Sequence, residues 1–205
     1  MVVIVDYGLG NLLSILNMLK ELGVKAIISS KQEEINDSTK LILPGVGSFD
    51  YGMNKINEIG LKNILDKKVL IDRVPVLGIC LGAQIMTARS EEGKMEGLGW
   101  FSAETVKFKF SGNDDSLKIP HMGWRDIKVE KRSNLLLNLP EEPRFYFVHS
   151  YHFKSHQTED VLASAEYGYK FAVALEKNNI IGVQFHPEKS HKFGKTVLNN
   201  FINNY

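Results

Sequence analysis

Four short apolar runs, spaced by helical patterns, set the tightest limit on how this chain folds. Val2-Val3-Ile4-Val5 shows no polar alternation. A strand of that kind must be buried on both faces, as in a parallel sheet covered by helices on either side. Ala26 to Ile28, Leu41 to Leu43 and Val76 to Ile79 repeat the pattern. Leu12, Leu16, Leu19 and Leu22 recur at helical spacing after the first run, and Gly23 supplies a stop. A helix is expected from about Met53 to Lys67, and another opening at Gln84 to Arg89. Strand and helix alternating in this way predict an α/β fold of three layers around a mostly parallel, doubly wound sheet.

The second half reads as β-rich and antiparallel. Phe145 to Val148, Val161 to Ala165, Phe171 to Leu175 and Ile180 to Phe185 have strand character, and Lys177-Asn178-Asn179 suits a hairpin link between the last two. A closing helix is expected from His191 through Val197, Leu198 and Phe201. Ser111 to Ser116 is the clearest surface loop and is too short to be a linker, so one domain over 1–205 is expected.

Composition excludes several classes. The chain has 205 residues, 43% apolar and 24% charged, which is ordinary for a domain with its own core. A net charge of +1 offers no field to gather nucleic acid or an anionic membrane. A single cysteine forms no internal disulfide. No run approaches the roughly 18 apolar residues of a membrane span, and the apolar start lacks a signal peptide's basic region and cleavage site. A cytoplasmic protein is expected.

The chemistry centres on Gly78-Ile79-Cys80-Leu81-Gly82, at the end of an expected strand. Glycine, nucleophile and glycine in this spacing form an elbow, a tight turn that pushes the central side chain out at the carboxyl edge of the sheet. A helix N-terminus after it favours the thiolate, and the N–H of Leu81 is placed to meet an oxyanion. Most lone cysteines are small buried hydrophobes, so the reading needs a base. Gln184-Phe185-His186-Pro187-Glu188 supplies one. Proline disfavours helix before it, so His186 to Glu188 is expected to be extended, with the imidazole and the carboxylate on one face. A carboxylate there fixes the imidazole tautomer and stabilises its cation.

Other motifs are weaker. Pro44-Gly45-Val46-Gly47 follows a strand and lets backbone N–H groups approach a ligand; a plain strand-to-loop turn fits it equally. Gly8-Leu9-Gly10 begins a dinucleotide fingerprint, but Leu13 occupies the third glycine position, which rules out that site. His149, His152 and His156 lack a cysteine or acid at matching spacing, so no metal is expected there. Phe145, Tyr146, Phe147 and Tyr151 read as core and site-wall residues.

Together these runs resemble the class I glutamine amidotransferases. Gly78 to Gln84 is similar to that family's nucleophile motif and His186-Pro187-Glu188 to its histidine–glutamate pair. More narrowly, the likeness is to the glutaminase subunits of imidazole glycerol phosphate synthases. It covers nearly the whole chain and adds Asp6 to Asn11, Pro44 to Gly47, Pro120 to Trp124, Tyr146 to Tyr151 and Gln184 to Ser190 in order. The resemblance implies a Cys80–His186–Glu188 triad that hydrolyses glutamine without cofactor or metal. It implies that Gly47, Gln84, His149 and Ser150 hold the substrate and that Val46 and Leu81 give the oxyanion N–H groups, the Pro-Gly-Val-Gly segment switching into place when the partner is loaded. It also implies that Asn11, Trp124, Tyr146 and Lys189 face a (β/α)8-barrel cyclase partner, which receives the ammonia. Two features depart from the pattern: Arg125 stands where asparagine is expected, and Lys107-Phe108-Lys109-Phe110 precedes a polar loop. Both are expected to bear on the partner-facing surface. A related subunit feeding a surface-sugar pathway, a stand-alone cysteine hydrolase or peptidase, and a binding module without chemistry are the rival readings.

Overall fold

The computed structural model describes residues 1–110 and 117–205. In chain order the first half holds β1 (Val2–Val5), α1 (Leu12–Glu21), β2 (Ala26–Ser29), α2 (Gln32–Asn36), β3 (Lys40–Gly45), α3 (Phe49–Glu58), α4 (Lys62–Asp66), β4 (Val76–Cys80) and α5 (Leu81–Gln84). The second half holds β5 (Arg89–Ser90), β6 (Ala103–Lys107), β7 (His121–Asp126), β8 (Lys128–Val129), β9 (Arg144–His149), β10 (Tyr151–Ser155), β11 (Val161–Tyr167), β12 (Tyr169–Lys177), β13 (Ile180–Val183) and α6 (His191–Asn204).

The order β2-β1-β3-β4-β13 is parallel throughout. Beyond β13 the same sheet continues antiparallel through β12, β10 and β6. The apolar runs are continuous because each strand feeds two cores. Val2, Ile4, Ile42, Leu77 and Ile79 pack with α1 and α6 on one face. Val3, Val5, Leu41, Leu43 and Val76 pack with α2, α3 and α4 on the other. Each such side chain withdrawn from water contributes roughly 1.5–3 kcal/mol. The expected three-layer α/β architecture is therefore present.

Several local expectations change. The helix expected over Met53 to Lys67 is two helices, parted at Gly60, whose φ of 71° closes a C-terminal cap. The N–H of Leu61 reaches Ile56 O and that of Gly60 reaches Asn57 O, the double bond pattern of a left-handed helix stop. Gly23 ends α1 in the same manner, with Val24 bonded to Leu19 O. No helix runs over Gln84 to Arg89: α5 starts at Leu81, stops at Gln84, and Arg89 already lies in a strand. Phe145 to Val148 is a strand, but in a separate two-stranded ribbon with β7. The hairpin loop is two residues, since Lys177 pairs with Ile180 and Asn178 takes a φ of 55°. The strand expected to Phe185 ends at Val183. The loop expected at Ser111 to Ser116 lies outside the described residues.

Candidate active site

The two core-lined strands β3 and β4 deliver the chemistry to one edge. Gly45 pairs with Cys80 in register, so the Pro44–Gly47 turn and the elbow sit side by side at the carboxyl end of the sheet. Cys80 has φ 54° and ψ −113°, a backbone conformation that L side chains rarely adopt. Its glycine neighbours are sterically required. A Cβ on Gly78 would sit 2.7 Å from both Ala83 Cα and Met86 Cε, and one on Gly82 would overlap the Leu43 carbonyl. The elbow expected from the sequence is thus formed, although the helix after it is a single turn.

Cys80 opens into a cleft of about 270 Å³. Val46, Gly47, Leu81, Gln84, His149, Ser150 and His186 line it too. Every residue expected at the substrate and oxyanion positions therefore reaches one cavity. The side chains of His186 and Glu188 are each 2% exposed, with Nδ1 2.8 Å from Oε1. Because a carboxylate only accepts, Nδ1 carries the proton and Nε2 is the free basic nitrogen. That Nε2 is buried with no hydrogen-bond partner among the described residues. Burial pushes the His186 pKa down, but the neighbouring Cys80 and the bond to Glu188 outweigh it and hold the imidazole above its ordinary value. A cysteine and a basic histidine facing one cleft are the pair that acyl transfer requires.

The route by which Glu188 reaches His186 differs from the expectation. His186 is extended, with φ −101° and ψ 97°, but Pro187–Lys189 is one turn of 3₁₀ helix. The proline restriction holds for the residue before it. Proline's own φ suits the first position of a tight helix equally well, and that turn folds the carboxylate back to the ring. Ser190 secures it, donating to His186 O at 2.6 Å and accepting from the N–H of Tyr146 at 3.0 Å.

Gln84 donates to Tyr151 O at 3.1 Å and to Gln184 Oε1 at 3.0 Å. Both ring nitrogens of His149 are engaged, Nδ1 with Tyr151 O at 2.7 Å and Nε2 with His121 Nδ1 at 2.9 Å. The His149 side chain is therefore committed within the protein. Sequence reasoning missed Gln184, whose Nε2 lies 3.7 Å from the sulfur while the residue is fully buried. It also missed Glu92, which lines the cleft and accepts from the N–H of Phe49 at 2.8 Å. Tyr7, buried beside Gly45, was missed as well; its hydroxyl has no partner among the described residues, and burial, then the charge of Cys80, push its pKa up. Gln184 stood two residues before the histidine, but only the fold brings its amide to the sulfur; Glu92 sits in a polar run with no periodic signal.

Trp124, Tyr146 and Lys189 gather on one surface. Trp124 pairs with Tyr146 across the ribbon, and Lys189 Nζ lies 5.6 Å from the Tyr146 ring centre. Asn11 is exposed at the start of α1, which packs against the Pro187–Lys189 turn. Arg125 lies elsewhere: its guanidinium stacks over Tyr167 at 5.3 Å, on the ribbon face opposite Trp124. The departure from asparagine thus bears on packing under the ribbon. Lys109, in the other departing run, pairs with Glu91 at 2.7 Å. Among the described residues no cluster of His, Cys, Asp or Glu could hold a metal ion, and no helix is long and apolar enough to cross a membrane.

A family model described as glutamine amidotransferase class-I matches residues 3–204. An imidazole glycerol phosphate synthase subunit (HisH 2) of Methanococcus maripaludis is 52% identical over 98% of each chain. A subunit of the same description from Pseudomonas aeruginosa is 47% identical, and one from Leptospira interrogans 44%, both with 98% of each chain covered. Among solved structures, a glutamine amidotransferase superposes with a TM-score of 0.74 at 22% identity, covering 98% of this chain and 97% of the other, which shows the fold. With the elbow, the histidine–glutamate pair and the full-length match together, the chain belongs to the class-I glutamine amidotransferase family.

Proposed function

We propose that this chain is the glutaminase subunit of an imidazole glycerol phosphate synthase, a single amidotransferase domain over 1–205 that acts in the cytoplasm. The observation that carries the chemistry is the strained Cys80 elbow facing the same cleft as His186, whose ring is oriented by Glu188 at 2.8 Å. The pathway rests on full-length relatives that are subunits of that synthase.

The Cys80 thiolate attacks the side-chain carboxamide carbon of glutamine. The N–H groups of Val46 and Leu81 receive the negative oxygen of the tetrahedral intermediate. His186 passes a proton to the departing nitrogen, and the C–N bond breaks to leave a γ-glutamyl thioester and ammonia. Water, deprotonated by His186, then cleaves the thioester to glutamate and restores the thiol. The Gln184 amide, 3.7 Å from the sulfur, stabilises its anion. Gly47, Gln84 and Ser150 hold the substrate. His149 contributes through its backbone, since its ring is occupied. Glu92 is the acid in the cleft suited to the α-ammonium of glutamine.

Ammonia is protonated in bulk water and then ceases to be a nucleophile, which is the reason to pass it directly to a partner. The surface of Asn11, Trp124, Tyr146 and Lys189 docks a cyclase subunit of (β/α)8-barrel fold in a heterodimer. Glutamate release measured with and without that cyclase and its nucleotide ligand tests the assignment. Strong stimulation by the two together is expected. Stimulation by neither, with the chain folded, would refute the histidine-pathway assignment and move it to another ammonia acceptor such as a surface-sugar enzyme.

A further inference from the structure

The mechanism leaves one buried pair of rings unused. His121, at the start of β7, is 1% exposed and His149, at the end of β9, is 5% exposed. Burial, and then the charge of Arg125, lower the His121 pKa to about 4. Burial lowers that of His149 to about 3, against the opposing bond to Tyr151. Both rings are neutral at pH 7 and each carries one N–H. The tautomers follow from the partners. Tyr151 O only accepts, so His149 Nδ1 donates to it at 2.7 Å. His149 Nε2 is then an acceptor, and His121 Nδ1 must donate to it at 2.9 Å. The same Tyr151 carbonyl accepts from Gln84 Nε2 at 3.1 Å. A directed chain therefore runs from His121 through His149 to the carbonyl that fixes Gln84 in the glutamine cleft.

We propose that His121 is a positioning residue for glutamine: its Nδ1–H locks the tautomer and tilt of His149, and through Tyr151 O it sets where Gln84 meets the substrate. His121 touches neither substrate nor nucleophile. This inference rests on the glutaminase reading above.

A packing role and a positioning role predict opposite results for two variants. His121 also stacks on Tyr167 at 4.2 Å and lies 5.3 Å from the Phe147 ring. His121→Phe keeps an aromatic ring there and removes the donor. His121→Asn loses the ring but places an amide N–H where Nδ1–H lies. In the complex with the cyclase subunit, His121→Phe is expected to raise KM for glutamine about tenfold with kcat within about threefold, the size of one lost hydrogen bond. His121→Asn is expected to return KM to within about threefold of wild type. A wild-type KM in His121→Phe, or a KM raised in His121→Asn alone, would overturn the proposal. Nitrogen-15 spectra of the histidine rings give an independent check. Both rings are expected as Nδ1–H tautomers, and His121 found as the Nε2–H tautomer would overturn it even if the wild type hydrolysed no glutamine. A wild type that hydrolysed no glutamine would instead defeat the glutaminase reading.

Discussion

Cys80 offers a measurement of elbow strain through two inactive variants. Its φ of 54° and ψ of −113° cost any residue with a side chain about 1–3 kcal/mol. Cys80→Ala keeps that cost and Cys80→Gly releases it. Alanine ordinarily leads glycine by roughly 0.4–1 kcal/mol, because glycine gives the unfolded chain more freedom. Burying one methyl adds about 0.8 kcal/mol, and the site is buried, at 7% exposure. An unstrained position would thus favour alanine by about 1.5 kcal/mol. Against a release of about 2 kcal/mol, the glycine variant should be the more stable by about 0.5 kcal/mol. That is an unfolding midpoint roughly 1–2 °C higher in a chain of this size. Urea denaturation of both variants under one set of conditions measures the difference. An alanine variant more stable by about 1 kcal/mol or more would show that the elbow carries no such strain.

Glu188→Gln should lower kcat/KM by about 10²–10⁴-fold, since the base loses the carboxylate that orients it; steady-state kinetics showing less than a threefold loss would remove Glu188 from the triad. The same variant has a pH signature. Because His186 is raised above its ordinary value, its cation adds stability that is fully present below the ordinary pKa and is lost as pH rises through the folded one. Unfolding free energy followed from neutral to alkaline pH should therefore fall in the wild type, with the fall moved to lower pH in Glu188→Gln. Gly82→Ala would drive a Cβ into the Leu43 carbonyl, costing about 1–3 kcal/mol or more; an unchanged urea midpoint would contradict the close approach of β3 and the elbow. Lys189→Ala removes an exposed contact with the Tyr146 ring, worth about 0.5–1 kcal/mol to the free chain. Calorimetric titration should show a larger loss in cyclase affinity or in coupling, and unchanged values for both would detach Lys189 from the interface.

The parallel half of the fold was legible because its strands are buried on both faces, so that Val2 to Val5 and Leu41 to Leu43 admit few other readings. The strands missed were β5, β6, β7, β8 and β10. In β7, His121 and Arg125 pack against rings while Met122 and Trp124 are exposed, which reverses the usual relation of polarity to burial. The helix expected over Gln84 to Arg89 failed because the chain turns after Gln84 so that Arg89 pairs with Glu104, and Ile85 and Met86 are buried in that turn. The elbow was visible in its two glycines, whose absent side chains make room for Ala83, Met86 and Leu43 O. The histidine–glutamate pair was found for a partly mistaken reason, since a one-turn 3₁₀ helix brings the two groups together. Gln184 was written beside that pair, but the fold alone brings its amide to the sulfur, from the end of a different strand.

Glutamate release by Cys80→Ala, set beside the wild type in the presence of the cyclase subunit and its nucleotide ligand, tests whether Cys80 is the nucleophile. The wild type is expected to turn over, and the variant, folded and still bound to its partner, to release no glutamate above the uncatalysed background. Sustained turnover by the folded variant would contradict it, since no other thiol in the chain could form the thioester.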